Sequence, residues 1–408
     1  MKRNWRTSIA AMPEFNRSSP LFRHRQLAPS ASVHVSPICL GAMTFGQSRE
    51  ELYSVCPKEE AFAIMDHFYS EGGNFIDTAN VYRDGESEEW VGEWMASRNN
   101  RDDIVLATKF TSGWMSHKPE RLQSNYIGNG TKSLKLSVEA SLRKLQTSYI
   151  DLLYVHWWDY TTDISELMHS LNDLIVSGKV FYLGISDAPA WIVSQANQYA
   201  RDHGLRPFVV YQGLWNAGTR DFERDIIPMA RQQGMGLIPY GVLGHGCFQT
   251  KDAYEERAKS GEGRQSLTVS EHDRRVSSVL EEVAHAKGCE LLQVALAYCQ
   301  QKAPYVCSLV GQRKVSHLKG SIGGLSVSLT EDEIDKVESA YRFDHGFPHT
   351  FLSGTKFRPD DKPKQAWGPG DIWLMRFQSG NQPFDWVEDV QAIKPQQETI
   401  TSTRNKWG

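Results

Sequence analysis

The chain has 408 residues, a formal net charge of −4, and 40% hydrophobic residues. This charge gives no reason to expect nucleic acid as a partner, and the longest apolar runs are far shorter than the ~20 residues of a membrane-spanning helix. The six cysteines are scattered without a C-x-x-C pair, so we expect free thiols, a cytoplasmic protein, and neither a disulfide framework nor a bound metal.

Residues 1–31 are predicted to form a mobile N-terminal arm. Six basic residues against the single acid Glu14 make its first part faintly similar to a mitochondrial presequence, but it lacks the apolar core of a secretory signal. The arm is the favoured interpretation.

Residues 32–342 alternate short apolar runs with amphipathic helical patterns. Predicted strands cover 37–43, 74–77, 104–109, 150–156, 180–185, 208–213, 236–240 and 306–310. Predicted helices cover 60–71, 86–97, 132–146, 164–177, 190–203, 222–233, 275–287, 290–302, 314–324 and 330–341. Eight strands in this alternation favour an α/β fold, the closed (β/α)8 TIM barrel. A doubly wound sheet would need a G-x-G-x-x-G turn after its first strand, which residues 41–46 lack.

Two segments interrupt or extend this pattern. Residues 244–274 form a long polar loop, a length typical of a functional lid or of disorder. Residues 343–408 form a C-terminal extension rich in Pro, Gly and Trp, which we expect to pack on or near the barrel mouth.

Four polar residues lie at or just after the ends of three consecutive predicted strands. They are Asp77, Tyr82, Lys109 and His156. In α/β barrels the carboxyl ends of the strands carry the active site. When hydride adds to a carbonyl, a proton must reach the oxygen, and a neighbouring ammonium at ~4 Å can favour proton release from a phenol by about 4 kcal/mol. Lys109 could serve Tyr82 in this way, Asp77 could keep Lys109 charged, and His156 could orient the carbonyl oxygen.

Each of these residues also has an ordinary structural interpretation. Asp77 could cap a helix, and a lone tyrosine, lysine or histidine is usually packed or solvated. It is their joint position at adjacent strand ends that favours catalysis.

The same residues carry a family resemblance. Residues 73–82, 107–109 and 151–156 resemble the Asp, Tyr, Lys, His tetrad of the aldo-keto reductases. Residues 184–191, 211–216 and 220–230 are similar to the fungal branch of aryl-alcohol dehydrogenases and norsolorinic acid reductase-like enzymes. The resemblance covers roughly residues 20–350 and the region 384–387.

The resemblance implies NADP(H) as cofactor, bound across the barrel mouth with Gly244–Gly246 hinging a lid over it. The positions that match the family's cofactor site are Gly41, Met43, Asp77, Ser186, Asp187, Gln212, Tyr240, Gly241, Leu243, Gly244, Gly311, Arg313, Lys314 and His317. Tyr240 stands where this branch often has Trp under the nicotinamide. Arg313, at a helix start, suits the 2′-phosphate. Gly320 and Ser321 depart from the family's adenine-contacting pair, which leaves the strictness for NADP over NAD open.

Four tryptophans follow strand ends and predict a flat apolar substrate site: Trp114, Trp157, Trp158 and Trp215. Any one of them could instead pack the barrel rim. We therefore expect a reversible reductase of aromatic aldehydes or ketones in fungal secondary metabolism, such as aromatic polyketide or mycotoxin biosynthesis. The alternative is an NADP-binding regulatory subunit of the same fold. Tyr298-x-x-x-Lys302 matches the helix pair of short-chain dehydrogenases, but the glycine-rich turn those enzymes need is missing. The oligomeric state is left open.

Overall fold

A computed structural model describes residues 14–50, 56–260, 269–356 and 373–378. Its strands are β1 (Arg25–Ala28), β2 (Ala31–Val35), β3 (Ile38–Gly41), β4 (Phe75–Asp77), β5 (Val105–Phe110), β6 (Ile150–Val155), β7 (Val180–Ser186), β8 (Phe208–Leu214), β9 (Gly236–Tyr240) and β10 (Ser308–Gly311). Strands β3 to β10 form one parallel sheet in the order β10-β3-β4-β5-β6-β7-β8-β9. The sheet closes where Leu237 of β9 bridges Val306, just before β10. The predicted (β/α)8 barrel is confirmed.

The helices lie between the strands and after the last one. They are α1 (Lys58–Ser70), α2 (Glu86–Arg98), α3 (Thr131–Lys144), α4 (Ile164–Val176), α5 (Ala190–Asp202), α6 (Ile226–Gln233), α7 (Lys251–Ser260), α8 (Glu271–Lys287), α9 (Leu291–Lys302), α10 (Val315–Gly324), α11 (Glu331–Glu338), α12 (His349–Leu352) and α13 (Trp373–Gln378). Local chemistry explains several ends. Ser270 and Asp273 form a capping box at α8, and Gly288 ends that helix in the left-handed conformation.

The N-terminal end of the barrel is closed by a hairpin, which corrects the prediction of a mobile arm. Strands β1 and β2 pair antiparallel, and Leu27 and Val35 join the cluster of side chains that fills the barrel interior. Ahead of the hairpin, Leu21 is fully buried and the Asn16 N–H donates to Ser70 O (2.9 Å). Apolar side chains inside an open barrel end must be covered from water, and residues 14–31 provide that cover. Residues 1–13 lie outside the described part.

The segment 244–274 is partly helical, which corrects its prediction as one long loop. It contains α7, and α8 begins at Glu271, earlier than the predicted residue 275. Residues 261–268 lie outside the described ranges. The sequence pattern missed α7 because its residues are almost all polar, so no apolar stripe marks it.

The first part of the C-terminal extension packs on the segment that follows the carboxyl end of β8. The Phe343 ring lies against the guanidinium groups of Arg220 (4.9 Å) and Arg224 (4.6 Å), and Arg224 donates to Asp344 O. Apart from α13, residues 357–408 lie outside the described part, including the 384–387 region, so their predicted position is not tested. Within the described ranges, no helix is long and apolar enough to cross a membrane.

Candidate active site

The four strand-end residues meet at the carboxyl end of the barrel. The Lys109 ammonium forms a salt bridge with the Asp77 carboxylate and donates to Thr78 O (2.9 Å) and towards the Tyr82 hydroxyl (3.4 Å). The Tyr82 and His156 rings meet edge to face, with centroids 5.8 Å apart. The parallel pairing of β4, β5 and β6 brings these residues side by side, as the sequence predicts.

Lys109 and Asp77 form a buried ion pair, each about 1% exposed. Burial alone would lower the pKa of Lys109, but the charge of Asp77 and then the Tyr82 hydroxyl outweigh it, so its pKa is raised. The second Asp77 oxygen accepts from Gln212 Nε2 (3.0 Å). Lys109 is therefore a fixed positive charge against the Tyr82 phenol.

His156 is a neutral group in this site. Loss of water around the half-buried ring, together with the charge of Lys109, lowers the pKa of His156 to about 3. A neutral imidazole carries one proton, so it can donate from one ring nitrogen only.

The loop that carries Tyr82 is held by unusual backbone geometry. Arg83, Asp84 and Gly85 all have positive φ, at 53°, 56° and 102°. The buried Arg83 guanidinium donates to the carbonyl groups of Ser48 (2.9 Å) and Thr44 (3.3 Å), in the loop after β3. Left-handed non-glycine residues cost on the order of 1–3 kcal/mol each and gather at functional sites. The turn therefore places Tyr82 rigidly against Lys109.

The segment after β5 carries a second strained residue, Thr111, with φ 92°. The Thr111 hydroxyl donates to Asn129 Oδ1 (2.6 Å) and accepts from the His156 backbone N–H (3.2 Å). The next residue, Ser112, contacts both the His156 ring and the Trp157 indole. Sequence reasoning did not identify Thr111 or Ser112, because nothing in a Thr-Ser pair marks a functional contact.

The predicted substrate tryptophans occupy two kinds of environment. Trp114 and Trp157 are half-buried and follow β5 and β6 at the barrel mouth. Trp158 is only 8% exposed. Trp215 is fully buried, stacks on Phe222 (5.8 Å between centroids) and donates to Glu223 (3.4 Å). The prediction that Trp215 lines the substrate site is corrected, because its ring and its N–H group are both engaged in the core.

The polar residues predicted to hold the nicotinamide lie on neighbouring strand ends. Ser186 and Gln212 face each other in the β7–β8 register, and Gly41 lies beside Asp77 and Gly311. The exposed Asp187 carboxylate accepts from the hydroxyl of Tyr240 (3.2 Å). Met43, Gly241 and Leu243 follow on adjacent loops and are partly accessible, whereas Gly244 is buried at φ 70°. Of this set, Gly41 lies beside Asp77 in the sheet and Gln212 donates a hydrogen bond to it, while the others lie on strand ends and loops at the same end of the barrel.

The predicted phosphate site is the start of α10. Gly311, Arg313, Lys314 and His317 are all exposed there, and a Cβ at Gly311 would meet no neighbour. Two exposed cationic side chains at a helix start, beside a glycine that leaves the approach open, have the chemistry that a dinucleotide phosphate requires, so these residues fit the cofactor. Ser321 is buried and its hydroxyl accepts from Gln312 Nε2 (2.9 Å), so it faces inward.

Sequence reasoning missed one residue of this region. The Glu60 carboxylate, from the first turn of α1, accepts from Val315 N (3.0 Å) at the start of α10. A carboxylate thus lies at the helix N-terminus predicted to bind phosphate. Only the packing of α1 on α10 reveals this contact.

The dismissed Tyr298–Lys302 pair is structural. Tyr298 is fully buried and donates to Glu223 (3.3 Å) and Glu338 (3.2 Å), and Lys302 forms a salt bridge with Glu338. The pair therefore belongs to an ion cluster behind Trp215.

Comparisons with known proteins agree with this geometry. A sequence profile of the aldo/keto reductase family matches residues 37–342. A norsolorinic acid reductase B from Aspergillus parasiticus is 62% identical over 382 residues, which are 93% of this chain and 99% of that protein. An aryl-alcohol dehydrogenase from Pestalotiopsis microspora is 49% identical, over 97% of this chain and 99% of its own. An NADP(+) aryl-alcohol dehydrogenase from Phanerodontia chrysosporium is 48% identical, over 92% and 96%.

Proposed function

Because this chain belongs to the aldo/keto reductase family of oxidoreductases, we propose that it is an NADPH-dependent reductase of aromatic aldehydes and ketones, reversible with aryl alcohols. The observation that carries the proposal is the Asp77–Lys109–Tyr82–His156 arrangement. An NAD(P)-dependent oxidoreductase needs a proton donor beside its hydride site, and Tyr82 has the surroundings of one.

The residues of the chain divide the reduction between them. When bound, NADPH supplies the hydride that forms the new C–H bond at the carbonyl carbon. The Tyr82 hydroxyl gives its proton to the carbonyl oxygen, and the Lys109 ammonium stabilises the phenolate left behind. His156, neutral at working pH, orients the oxygen by a hydrogen bond. In the reverse direction the phenolate takes the proton of the alcohol.

The cofactor preference is also part of the proposal. Arg313 and Lys314 would bind the 2′-phosphate of NADPH, and Gly311 and His317 would line the same site. Ser186, Asp187 and Gln212 would hold the carboxamide over Tyr240. The described segment 244–260, with the left-handed Gly244 and Gly246 at its start, would cover the pyrophosphate. The name of one relative, an NADP(+) enzyme, supports this preference.

The substrate class follows from the site walls and the relatives' names. Trp114 and Trp157 offer flat apolar surfaces that suit fused aromatic rings. Relatives named norsolorinic acid reductases support an aromatic polyketide ketone and a place in fungal secondary metabolism. All six cysteines are free thiols, which supports a cytoplasmic location.

The first test is turnover by the purified protein. A panel of aryl aldehydes and anthraquinone ketones should consume NADPH, followed by its absorbance. An NADP-binding protein that turns over none of them would instead be the regulatory subunit.

The second test is Tyr82→Phe, which keeps the ring and removes the proton. The chemical step should slow by the ~10²–10⁴ typical of a general acid, with NADPH binding unchanged. A variant with normal turnover would disprove the assignment.

A further inference from the structure

The Ser112 hydroxyl lies between two aromatic rings at the substrate side of the site. Trp157 Nε1 donates to Ser112 Oγ (3.1 Å), and Ser112 Oγ lies 3.3 Å from His156 Nδ1. Within residues 14–50, 56–260 and 269–356, no protein group hydrogen-bonds the other ring nitrogen, His156 Nε2. The three side chains form a chain of contacts that ends at the free nitrogen.

The direction of the hydrogen bonds follows from what each group can do. An indole N–H can only donate, so Trp157 occupies one lone pair of the Ser112 oxygen. If Ser112 then donates its own proton to His156 Nδ1, each bond polarises the next in the same direction. If His156 Nδ1 carried the proton instead, Ser112 would accept twice and its own hydrogen would need another acceptor. The first arrangement satisfies all three groups.

We propose that Ser112 is a positioning residue that fixes His156 in the tautomer protonated at Nε2. In that tautomer Nε2, the nitrogen without a hydrogen bond from the described protein groups, is the one that donates to the substrate's carbonyl oxygen. The inference rests on the proposed function in one respect, the role of His156 towards that oxygen. It adds a residue that acts through His156 and has no contact with the reacting atoms.

The backbone around Ser112 is built to hold it there. Thr111 adopts φ 92°, a conformation that β-branched residues rarely take, and is fully buried. Its hydroxyl ties the segment both to Asn129 and to the His156 backbone (2.6 and 3.2 Å). Asn129 in turn donates to Trp157 O (3.1 Å). The backbones of Ser112, His156 and Trp157 are thus fixed to one another independently of their side-chain contacts.

The tautomer can be measured directly by NMR. The enzyme, labelled with ¹⁵N-histidine and bound to NADP⁺, would be compared with a His156→Gln variant to identify the His156 signals. The parent should show the proton on Nε2 throughout the neutral pH range. Ser112→Ala should give a mixture of tautomers, and Ser112→Thr, which keeps the hydroxyl, should restore the parent pattern. Ser116→Ala removes an exposed hydroxyl of the same segment and should change nothing.

Activity gives the second measurement. Ser112→Ala should lower kcat for an aryl aldehyde by about 3- to 10-fold, the value of one neutral hydrogen bond, and leave the Kd of NADPH unchanged. Ser112→Thr should recover most of the rate.

The proposal is wrong if His156 of the parent enzyme is protonated on Nδ1. It is also wrong if Ser112→Ala changes neither the tautomer nor the rate. The NMR result needs no substrate, so it separates this inference from a failure of the proposed function.

Discussion

The surroundings of Lys109 and His156 decide whether each side chain is charged or neutral. Lys109 stays charged although it is buried, because Asp77 compensates the loss of water. His156 stays neutral because burial, and then the charge of the same ammonium, lower its pKa. Of two basic side chains at adjacent strand ends, Lys109 is therefore charged and His156 neutral at neutral pH. In the proposed mechanism, that difference would let Lys109 stabilise a phenolate while His156 donates a hydrogen bond.

The first residue-scale prediction concerns Asp77→Asn. Asp77 raises the pKa of Lys109, so its removal leaves desolvation to lower that pKa. A lowered pKa means that Lys109 loses its proton at a lower pH than in the parent enzyme and regains it on acidification. Activity should therefore drop most at neutral and high pH and recover partly at lower pH, as a pH–rate profile would show. A profile parallel to the parent's, merely scaled down, would show that Asp77 only positions its neighbours.

The second concerns cofactor selectivity, with two substitutions of opposite sign. Arg313→Ala should weaken NADPH binding by roughly 1.5–3 kcal/mol and leave NADH nearly unaffected. Glu60→Gln removes the negative charge at the start of α10, so NADPH should bind more tightly by roughly 0.2–1 kcal/mol, the scale of an exposed charge interaction. Titration of each variant with both cofactors measures these effects. If a substitution changes the affinities for NADPH and NADH equally, that residue does not contact the 2′-phosphate. It would then bind another part of the dinucleotide or have a structural role.

At the scale of elements, a buried ion cluster joins three helical segments behind the site. Arg220 binds Glu223 (2.6 Å) and Glu338 (2.9 Å), and Lys302 lies 3.9 Å from Glu223. Burial alone would raise the pKa of Glu223, but Lys302 and Arg220 outweigh it and lower that pKa. The cluster attaches α11 to α9 and to the turn before α6. Trp215 packs over it, which explains why that tryptophan is unavailable to a substrate.

The element-scale prediction is the cost of breaking this cluster. Glu223→Gln leaves Arg220 and Lys302 with less compensating charge, so the free energy of unfolding should fall by about 3–5 kcal/mol. Urea denaturation measures this loss. Glu282→Gln is the matched control, because its ion pair with Lys336 is exposed (3.0 Å) and should cost at most about 1 kcal/mol. Equal losses in the two variants would mean that burial does not strengthen the cluster.

At the scale of the whole molecule, the two ends of the barrel have separate tasks. The carboxyl end carries the tetrad, and the amino end is closed by the β1–β2 hairpin. The hairpin's Leu27 is 2% exposed and belongs to the interior cluster with Phe75 and Tyr154. The hairpin therefore lies away from the catalytic groups. Its task is to keep water out of the amino end of the barrel.

The corresponding prediction concerns Leu27→Ala. The truncation should lower the free energy of unfolding by about 2–5 kcal/mol, as for other buried leucines, and leave kcat and cofactor affinity of the folded enzyme unchanged. Denaturation and steady-state kinetics on the same sample check both halves. A loss of kcat in the fully folded variant would contradict the separation of the two ends.

The sequence by itself determined the barrel and the tetrad. Strands and helices differ in hydrophobic period, so each element could be recognised locally, and parallel pairing forces consecutive strand ends together. Asp77, Lys109 and His156 had to meet once the fold was known, and Tyr82 follows in the loop after Asp77.

Tertiary structure alone decided the remaining features. Trp157 and Trp215 follow strand ends in the same way, and only packing sends one to the mouth and the other into the core. Glu60 reaches α10 across more than 250 residues of chain, and Ser112 reaches His156 through a strained Thr111. The β1–β2 hairpin is short, and no local pattern reveals that it covers the side chains at one end of the barrel. Such contacts join residues far apart in the chain, and neither residue's own neighbours carry a signal of the other.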